Sequence, residues 1–214
     1  RGTTQPARLP PLPPALAGSA RTPAATPLPS ADRVWTDYRN AVGNIPGSAG
    51  GAIVIRGWDD RSEGRYGKFE VTVAGADRYR ITLSTGDGTV NQGLDGEGAW
   101  AATNDRVQRL SPADAARMRR IATRYRPVKE RPSDLRIVGI DRVADHDAYV
   151  ATGRIDAVTT QTLYFDAVTG LLRREVITTE TLLLPLEEQV DYDDYRDVNG
   201  VKMPFRWTVA WLDG

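Results

Sequence analysis

The side chains able to do acid–base, metal or nucleophilic chemistry are few and scattered. His146 is the single histidine and stands between Asp145 and Asp147. An imidazole between carboxylates can move protons or ligate a metal, but either role needs further partners at fixed positions. This triplet falls in a hairpin loop and reads as solvated. Asp191, Asp193, Asp194 and Asp197 offer enough oxygens for calcium, yet their spacing does not follow a calcium-binding loop. Asp191 and Asp193 alternate onto the outer face of a strand, so the set reads as an acidic face paired with nearby Arg and Lys. Gly86, Gly88, Gly93, Gly96 and Gly98 lack the strand–turn–helix context of a nucleotide loop and read as hairpin turns. Ser111 and Ser133 have no base to join. The sequence contains no cysteine, which removes disulfides, thiolate nucleophiles, zinc–thiolate sites, iron–sulfur clusters and c-type haem attachment within this chain. No catalytic residue, metal site or cofactor is expected, and the chain does not read as an enzyme.

Two other sets point to binding. Arg117, Arg119, Arg120, Arg124 and Arg126 gather in a helix-spaced stretch and read as a solvated face, or as a docking surface for an acidic partner or lipid headgroups. The tryptophans carry more information. Trp58, Trp100, Trp207 and Trp211 fall on strands, and Trp35 falls on a helix. They read as plain core packing, or, if a curled sheet has too few helices to fill it, as the walls of an apolar cavity for an acyl chain or another hydrophobic ligand. Trp100, Met118, Tyr125, Phe205, Trp207 and Trp211 are the candidate lining.

These residues need elements to hold them. From Val201 every second residue is large and apolar, namely Val201, Met203, Phe205, Trp207, Val209 and Trp211, which is a strand with one apolar face. Asn199-Gly200 before it is the strongest short hairpin signal. Similar alternation marks strands at Ala52–Trp58, Tyr66–Val73, Arg78–Leu83, Thr89–Leu94, Gly98–Ala102 and Val107–Leu110. It resumes at Leu135–Val143, Tyr149–Ile155, Thr162–Asp166 and Leu171–Thr179. Residues 181–185 form an irregular apolar patch. Helical spacing appears twice. Ser30 can cap a helix to about Val42, with Val34, Trp35, Tyr38, Ala41 and Val42 on one face. Ser111-Pro112 opens another, with Ala115, Met118, Ile121, Ala122 and Tyr125 as its stripe. The expected fold is α+β. A curled antiparallel sheet, an incomplete β-barrel, has helices covering its concave face.

Residues 1–30 are a separate regime. Eight of the fourteen prolines fall there, and Arg1, Arg8 and Arg21 are its only charges. Such a segment is extended and partly polyproline II. It reads as a tether to a membrane anchor or an upstream domain, or as an arm docked on a partner with Arg8, Pro10, Pro11, Pro13, Pro14 and Arg21 as contacts, the latter preferred, ahead of a folded domain at 31–214. Lys plus Arg and Asp plus Glu are both 28, so no electrostatic case exists for nucleic acid. No apolar run is long enough for a spanning helix. The chain starts at Arg1, compatible with a removed export signal or an unseen N-terminal anchor.

A family resemblance rests on specific segments. These are Gly93-Leu94-Asp95-Gly96 leading to Ala99-Trp100, Arg109-Leu110-Ser111-Pro112, Leu163-Tyr164-Phe165-Asp166 with Thr169-Gly170-Leu171, and Asp194-Tyr195-Arg196-Asp197-Val198 with Gly200-Val201-Lys202-Met203-Pro204. Together they resemble the outer-membrane lipoprotein-sorting superfamily of LolA and LolB. Tyr192–Gly214 is also similar to the domain that accompanies photosynthetic reaction centre cytochrome subunits. The resemblance implies an unclosed antiparallel barrel with helices as a lid, a periplasmic location, and lipid or acyl chains as ligands. It also implies protein subunits as partners, membrane-embedded reaction centre and cytochrome subunits among them. The preferred expectation is a non-catalytic structural subunit of a reaction centre–light-harvesting assembly, docked through the arm and a sheet edge. The alternative is a soluble carrier of lipoproteins or another hydrophobic ligand.

Overall fold

The computed structural model describes residues 27–43, 52–60, 66–74, 77–103, 106–128, 130–182 and 184–212. The arm residues Arg8, Pro10, Pro11, Pro13, Pro14 and Arg21 lie outside them. Two helices and twelve strands follow in the order α1 (Ala31–Val42), β1 (Ile53–Asp60), β2 (Tyr66–Val73), β3 (Arg78–Thr85), β4 (Gly88–Asp95), β5 (Ala99–Thr103), β6 (Arg106–Arg109), α2 (Pro112–Thr123), β7 (Arg136–Val143), β8 (His146–Arg154), β9 (Thr159–Asp166), β10 (Leu172–Thr179), β11 (Leu186–Val198) and β12 (Val201–Leu212).

The strands do not make one sheet. β1 to β6 form one six-stranded antiparallel meander, and β7 to β12 form a second, with neighbours in sequence order throughout. Neither closes into a barrel. The switch of periodicity at α2 marks the break between them. The described residues divide into two compact units. One holds α1 to Ala41 with residues 132–194 and 204–212, and the other holds residues from Val42 to Arg131 with Tyr195–Met203. The β11–β12 hairpin therefore contributes its stem to one unit and its tip to the other. β11 changes units just after Asp194, which has a φ of 52°.

Within the second unit, α2 lies on the first sheet. Ser111 and Asp114 make a reciprocal capping box at its start, with Pro112 in the first turn. Ala115, Met118 and Ala122 then meet Val71, Val73, Tyr79, Leu94 and Ala99. Those sheet residues stand in register, Val73 facing Tyr79, Tyr79 facing Leu94 and Leu94 facing Ala99. Tyr125, just beyond the helix, stacks on Tyr79 with ring centroids 6.1 Å apart.

Within the first unit, α1 lies on the second sheet, although in sequence it precedes the first. Ser30 caps it by accepting the Arg33 N–H at 3.2 Å. Tyr38 and Trp35 meet Phe165 of β9, with centroids at 5.1 Å and 6.2 Å, the latter edge-on. Gly170 sits under the helix with φ 74°, and a Cβ there would lie 3.0 Å from the Asp37 carbonyl oxygen. The β11–β12 connection is the expected two-residue turn, with Asn199 and Gly200 both at positive φ. β12 is an edge strand, which accommodates Pro204 and its missing N–H. Gly93 departs from expectation: it is not a turn residue but sits mid-strand in β4, opposite Trp100.

Phe165 is fully buried, and truncating it should cost about 4 kcal/mol of unfolding free energy. Urea denaturation of Phe165→Ala checks this. Val168→Ala, at a site 93 % exposed only three residues away, should change stability by less than about 0.5 kcal/mol. Equal losses in the two variants would remove α1 packing as the cause.

Candidate functional site

Alternation divides the first sheet into two faces. The face under α2 carries three cross-strand rows. Ile53, Val73, Tyr79, Leu94 and Ala99 make the first, and Ile55, Val71, Ile81, Gln92 and Ala101 the second. Gly57, Phe69, Leu83 and Val90 make the third. Burial falls across them. Val73, Tyr79, Leu94 and Ala99 of the first row and Val71 of the second are buried, Ile55, Phe69 and Ile81 are half-buried against the same cluster, and Val90 is 42 % exposed. An apolar strip thus continues beyond the residues that α2 packs against. Phe69 lies over Gly57, so that a Cβ at position 57 would meet its ring at 2.8 Å. Burial raises the hydroxyls of both Tyr79 and Tyr125 above the usual phenol range, so this end of the strip stays uncharged.

The six residues proposed from sequence as a cavity lining are divided equally between the two units. Met118 is buried in the α2 cluster and Tyr125 packs beside it. Trp100 alternates with Ala99 and therefore points to the face opposite α2. Phe205, Trp207 and Trp211 belong to the other unit, along β12, where Phe205 and Trp211 are exposed and Trp207 is half-buried.

A groove of about 560 Å³ across β1 to β3 is bordered by Arg56, Trp58, Lys68, Glu70, Arg80, Thr82 and Ser84, which alternate to the face away from α2, and also by Gly57 and Phe69. Glu70 accepts from Arg56 at 2.7 Å, and the Lys68 ammonium lies 5.1 Å from the centre of the exposed Trp58 ring. On the helix, Arg119 pairs with Asp77 at 2.9 Å, a solvated surface contact.

The second sheet holds two buried carboxylates that alternation did not reveal. Glu175 is 4 % exposed and accepts from Gln161 Nε2 at 2.6 Å and from the Tyr192 hydroxyl at 3.0 Å. Asp166 closes the β9–β10 turn. Its Oδ1 accepts the Val168 and Thr169 N–H groups at 2.9 and 2.8 Å, and its Oδ2 accepts from Arg173 Nε at 2.9 Å. Burial alone would raise this carboxyl. The Thr169 and Val168 N–H groups and the Arg173 guanidinium outweigh that and hold it below the usual carboxylate range. His146 is not a solvated loop residue. It opens β8 and places Nδ1 2.9 Å from Asp166 Oδ2 and Nε2 3.2 Å from Asp145. Asp193 extends the chain of charges, 3.6 Å from both Arg173 and Arg206, and Asp191 takes a two-point contact from Arg174 at 2.6 and 2.8 Å. The acidic face is thus paired with arginines as the sequence indicates. A cavity of about 270 Å³ lies between α1 and this turn, bordered by Asp37, Asn40, Tyr149, Phe165, Asp166 and Thr169. The contacts of His146 are with Asp145, Asp166 and Arg173, and together with the Val168 and Thr169 N–H groups on Asp166 they tie β8 to the β9–β10 turn. Among the described residues no three His, Asp or Glu side chains converge as a metal set.

No family model and no curated protein matches the sequence. Three solved structures do match in fold. A LolA superfamily protein from Nitrosomonas europaea aligns over 85 % of this chain and 86 % of its own, with a TM-score of 0.52 and 13 % identity. A domain named for outer membrane lipoprotein sorting from Vibrio parahaemolyticus aligns over 85 % and 83 %, with a TM-score of 0.46 and 10 % identity. A DUF1329 family protein from Desulfovibrio piger aligns over 74 % and 75 %, with a TM-score of 0.39 and 14 % identity. The chain has a LolA-like fold: two helices with two open antiparallel sheets.

The Asp166 cluster makes stability depend on acid. A carboxyl held below its unfolded-state value stabilises the fold above that unfolded value, and the contribution is lost as pH falls through the folded one. Asp166→Asn should cost about 3 kcal/mol near neutrality, because the buried Arg173 then loses the closer of its two carboxylates and keeps only Asp193 at 3.6 Å. The gap between native and variant unfolding free energies should close as pH falls to the acid limb. A gap that is constant with pH would mean that the turn, not the charge, carries the effect.

Proposed function

We propose that this chain is a non-catalytic periplasmic domain that binds a hydrophobic ligand, a lipid or the acyl chains of a lipoprotein, on the apolar face of its first sheet. The observation that carries the reading is the graded exposure of that face. Tyr79, Leu94 and Ala99 are sealed under α2, while the same face continues through Phe69 and Leu83 to the exposed Val90. Burying such a strip contributes roughly 25 cal/mol for each Å² removed from water, and an acyl chain is the simplest group to do so. The LolA-like fold supports the choice, since the Nitrosomonas structure aligns with nearly the whole chain. No helix among the described residues is long and apolar enough to cross a membrane.

A second reading, a structural subunit of a photosynthetic reaction centre–light-harvesting assembly, has one feature in its favour. β12 is an edge strand that exposes Phe205, and an open apolar edge is a ready contact for another protein. Purification of the chain in mild detergent separates the two. Recovery with bound lipid and no companion protein supports the carrier reading, whereas recovery with stoichiometric membrane-embedded subunits supports the assembly reading.

The ligand face has a direct test. The full chain should bind a dansyl-labelled long-chain fatty acid saturably, with a blue-shifted emission. Leu83→Asp should weaken that binding by about tenfold or more, since it places a charge in the strip. Thr82→Asp, on the opposite face of the same strand, should leave it unchanged. Absence of saturable binding by the native chain would sink the ligand-binding reading.

A further inference from the structure

One end of the second sheet gathers apolar side chains that cover nothing. The β8–β9 connection exposes Ile155 and Val158. The β10–β11 connection exposes Leu182 at 104 % and Leu184 at 60 %, and Leu186 opens β11 exposed. The two connections touch, because the Glu180 N–H donates to the Val158 carbonyl at 2.8 Å. β12 runs back along β11, so its last turn of the pleat returns Trp211, itself exposed, to the end where Leu186 begins. Single exposed leucines are ordinary. The run Thr181–Leu186, with four leucines, a proline and no charge, is not.

Three observations choose the occupant. The Leu184, Ile155 and Val158 N–H groups at the tip find partners within it, which lowers the cost of taking them into an apolar layer. The Thr181 hydroxyl donates to the Leu184 carbonyl at 2.6 Å and accepts the Leu184 N–H at 3.3 Å. The Ile155 N–H donates to the Thr159 carbonyl at 2.9 Å, and the Val158 N–H to Asp156 Oδ1 at 2.9 Å. Next, Leu182 is as exposed as in an extended peptide. It projects from a connection instead of lining a groove, which suits a fluid layer better than a shaped protein pocket. Last, a tryptophan beside protruding leucines is the arrangement favoured at a membrane–water boundary, where an indole is half wet and half apolar. Among the described residues within two positions of these connections and of Leu186, Arg154 stands against Asp156, Glu180, Glu187 and Glu188. They provide no cationic excess to attract anionic headgroups.

We propose that this end of the second sheet is a membrane-docking tip, which seats Leu182, Leu184 and Leu186 in the interfacial layer of a bilayer with zwitterionic headgroups, with Trp211 at the rim. The proposal does not rest on ligand binding at the first sheet, whose residues belong to the other unit.

Co-sedimentation of the full chain with phosphatidylcholine vesicles tests it. The native chain should partition onto the vesicles, and added salt should change this little. The double variant L182S/L184S should lower the partition coefficient by about tenfold or more, since each leucine side chain carries its own transfer term. Val168→Ser removes an equally exposed apolar residue from the turn at the far end of β9, and should have no effect. The proposal is overturned by a native chain that stays in the supernatant, or by equal losses in L182S/L184S and Val168→Ser. It is also overturned by binding confined to vesicles containing phosphatidylglycerol and abolished by salt, which would be electrostatic adsorption. Light scattering covers the remaining case. A native dimer that L182S/L184S converts to monomer, without vesicle binding, would make the patch a contact between copies and overturn the membrane assignment.

Discussion

A sheet with one apolar face has to cover that face, and the helices available are too small for the task. Six strands span about 24 Å from edge to edge, and eight residues of strand run about 26 Å. A twelve-residue helix is about 18 Å long and about 10 Å wide. Each of α1 and α2 therefore seals less than half of the sheet it lies on. What remains follows from that mismatch. On the first sheet, the rows under α2 are dry, while the row through Phe69, Leu83 and Val90 grades toward solvent. The fold leaves apolar area without an internal partner, and the functional readings are accounts of what meets it.

The second sheet meets the same constraint differently, by placing ions in its interior. Alternation along β9 sends Phe165 to the face that receives α1 and Asp166 to the other. One dipeptide thus fixes both sides of the sheet at the β9–β10 turn. Taking a carboxylate out of water is costly, and Asp166 offsets the cost with two backbone N–H groups, Arg173 and His146 around a single side chain. Such a constellation leaves little freedom for alternative turn geometries. That rigidity is what holds Gly170 against the Asp37 carbonyl and so sets the depth at which α1 sits.

Much of the architecture was legible because its rules are local. The alternation at Val201–Trp211, the Asn199-Gly200 turn, and the Ser30 and Ser111 caps each depend on residues a few positions apart, and all were realised. What escaped depends on residues far apart in sequence. His146 read as solvated because its visible neighbours are Asp145 and Asp147, whereas its buried neighbour Asp166 is twenty residues on, at the end of β9 that pairs with the start of β8. The division into two sheets was invisible because every hairpin joins sequence neighbours in either arrangement. Trp100 was placed with Met118 on hydrophobicity alone. Parity with Ala99, which packs against α2, would have sent it to the opposite face. The Thr181–Leu186 run was recognised as apolar, but periodicity carries no information on whether an irregular segment is covered.

The position of α1 has a kinetic consequence. Every strand of both meanders pairs with its sequence neighbour, so the sheets can zip by short hairpin closures. Trp35 and Tyr38, by contrast, find Phe165 only after roughly 130 residues of intervening chain, a closure with a large entropic cost. The first sheet and α2 can assemble while α1 still waits for its seat. A chain emerging N-terminus first would carry α1 unpaired until β9 had appeared, with Val34, Trp35, Tyr38 and Val42 open to solvent. Docking of α1 should then be the late step of folding, and Phe165 a residue whose truncation speeds unfolding more than it slows folding.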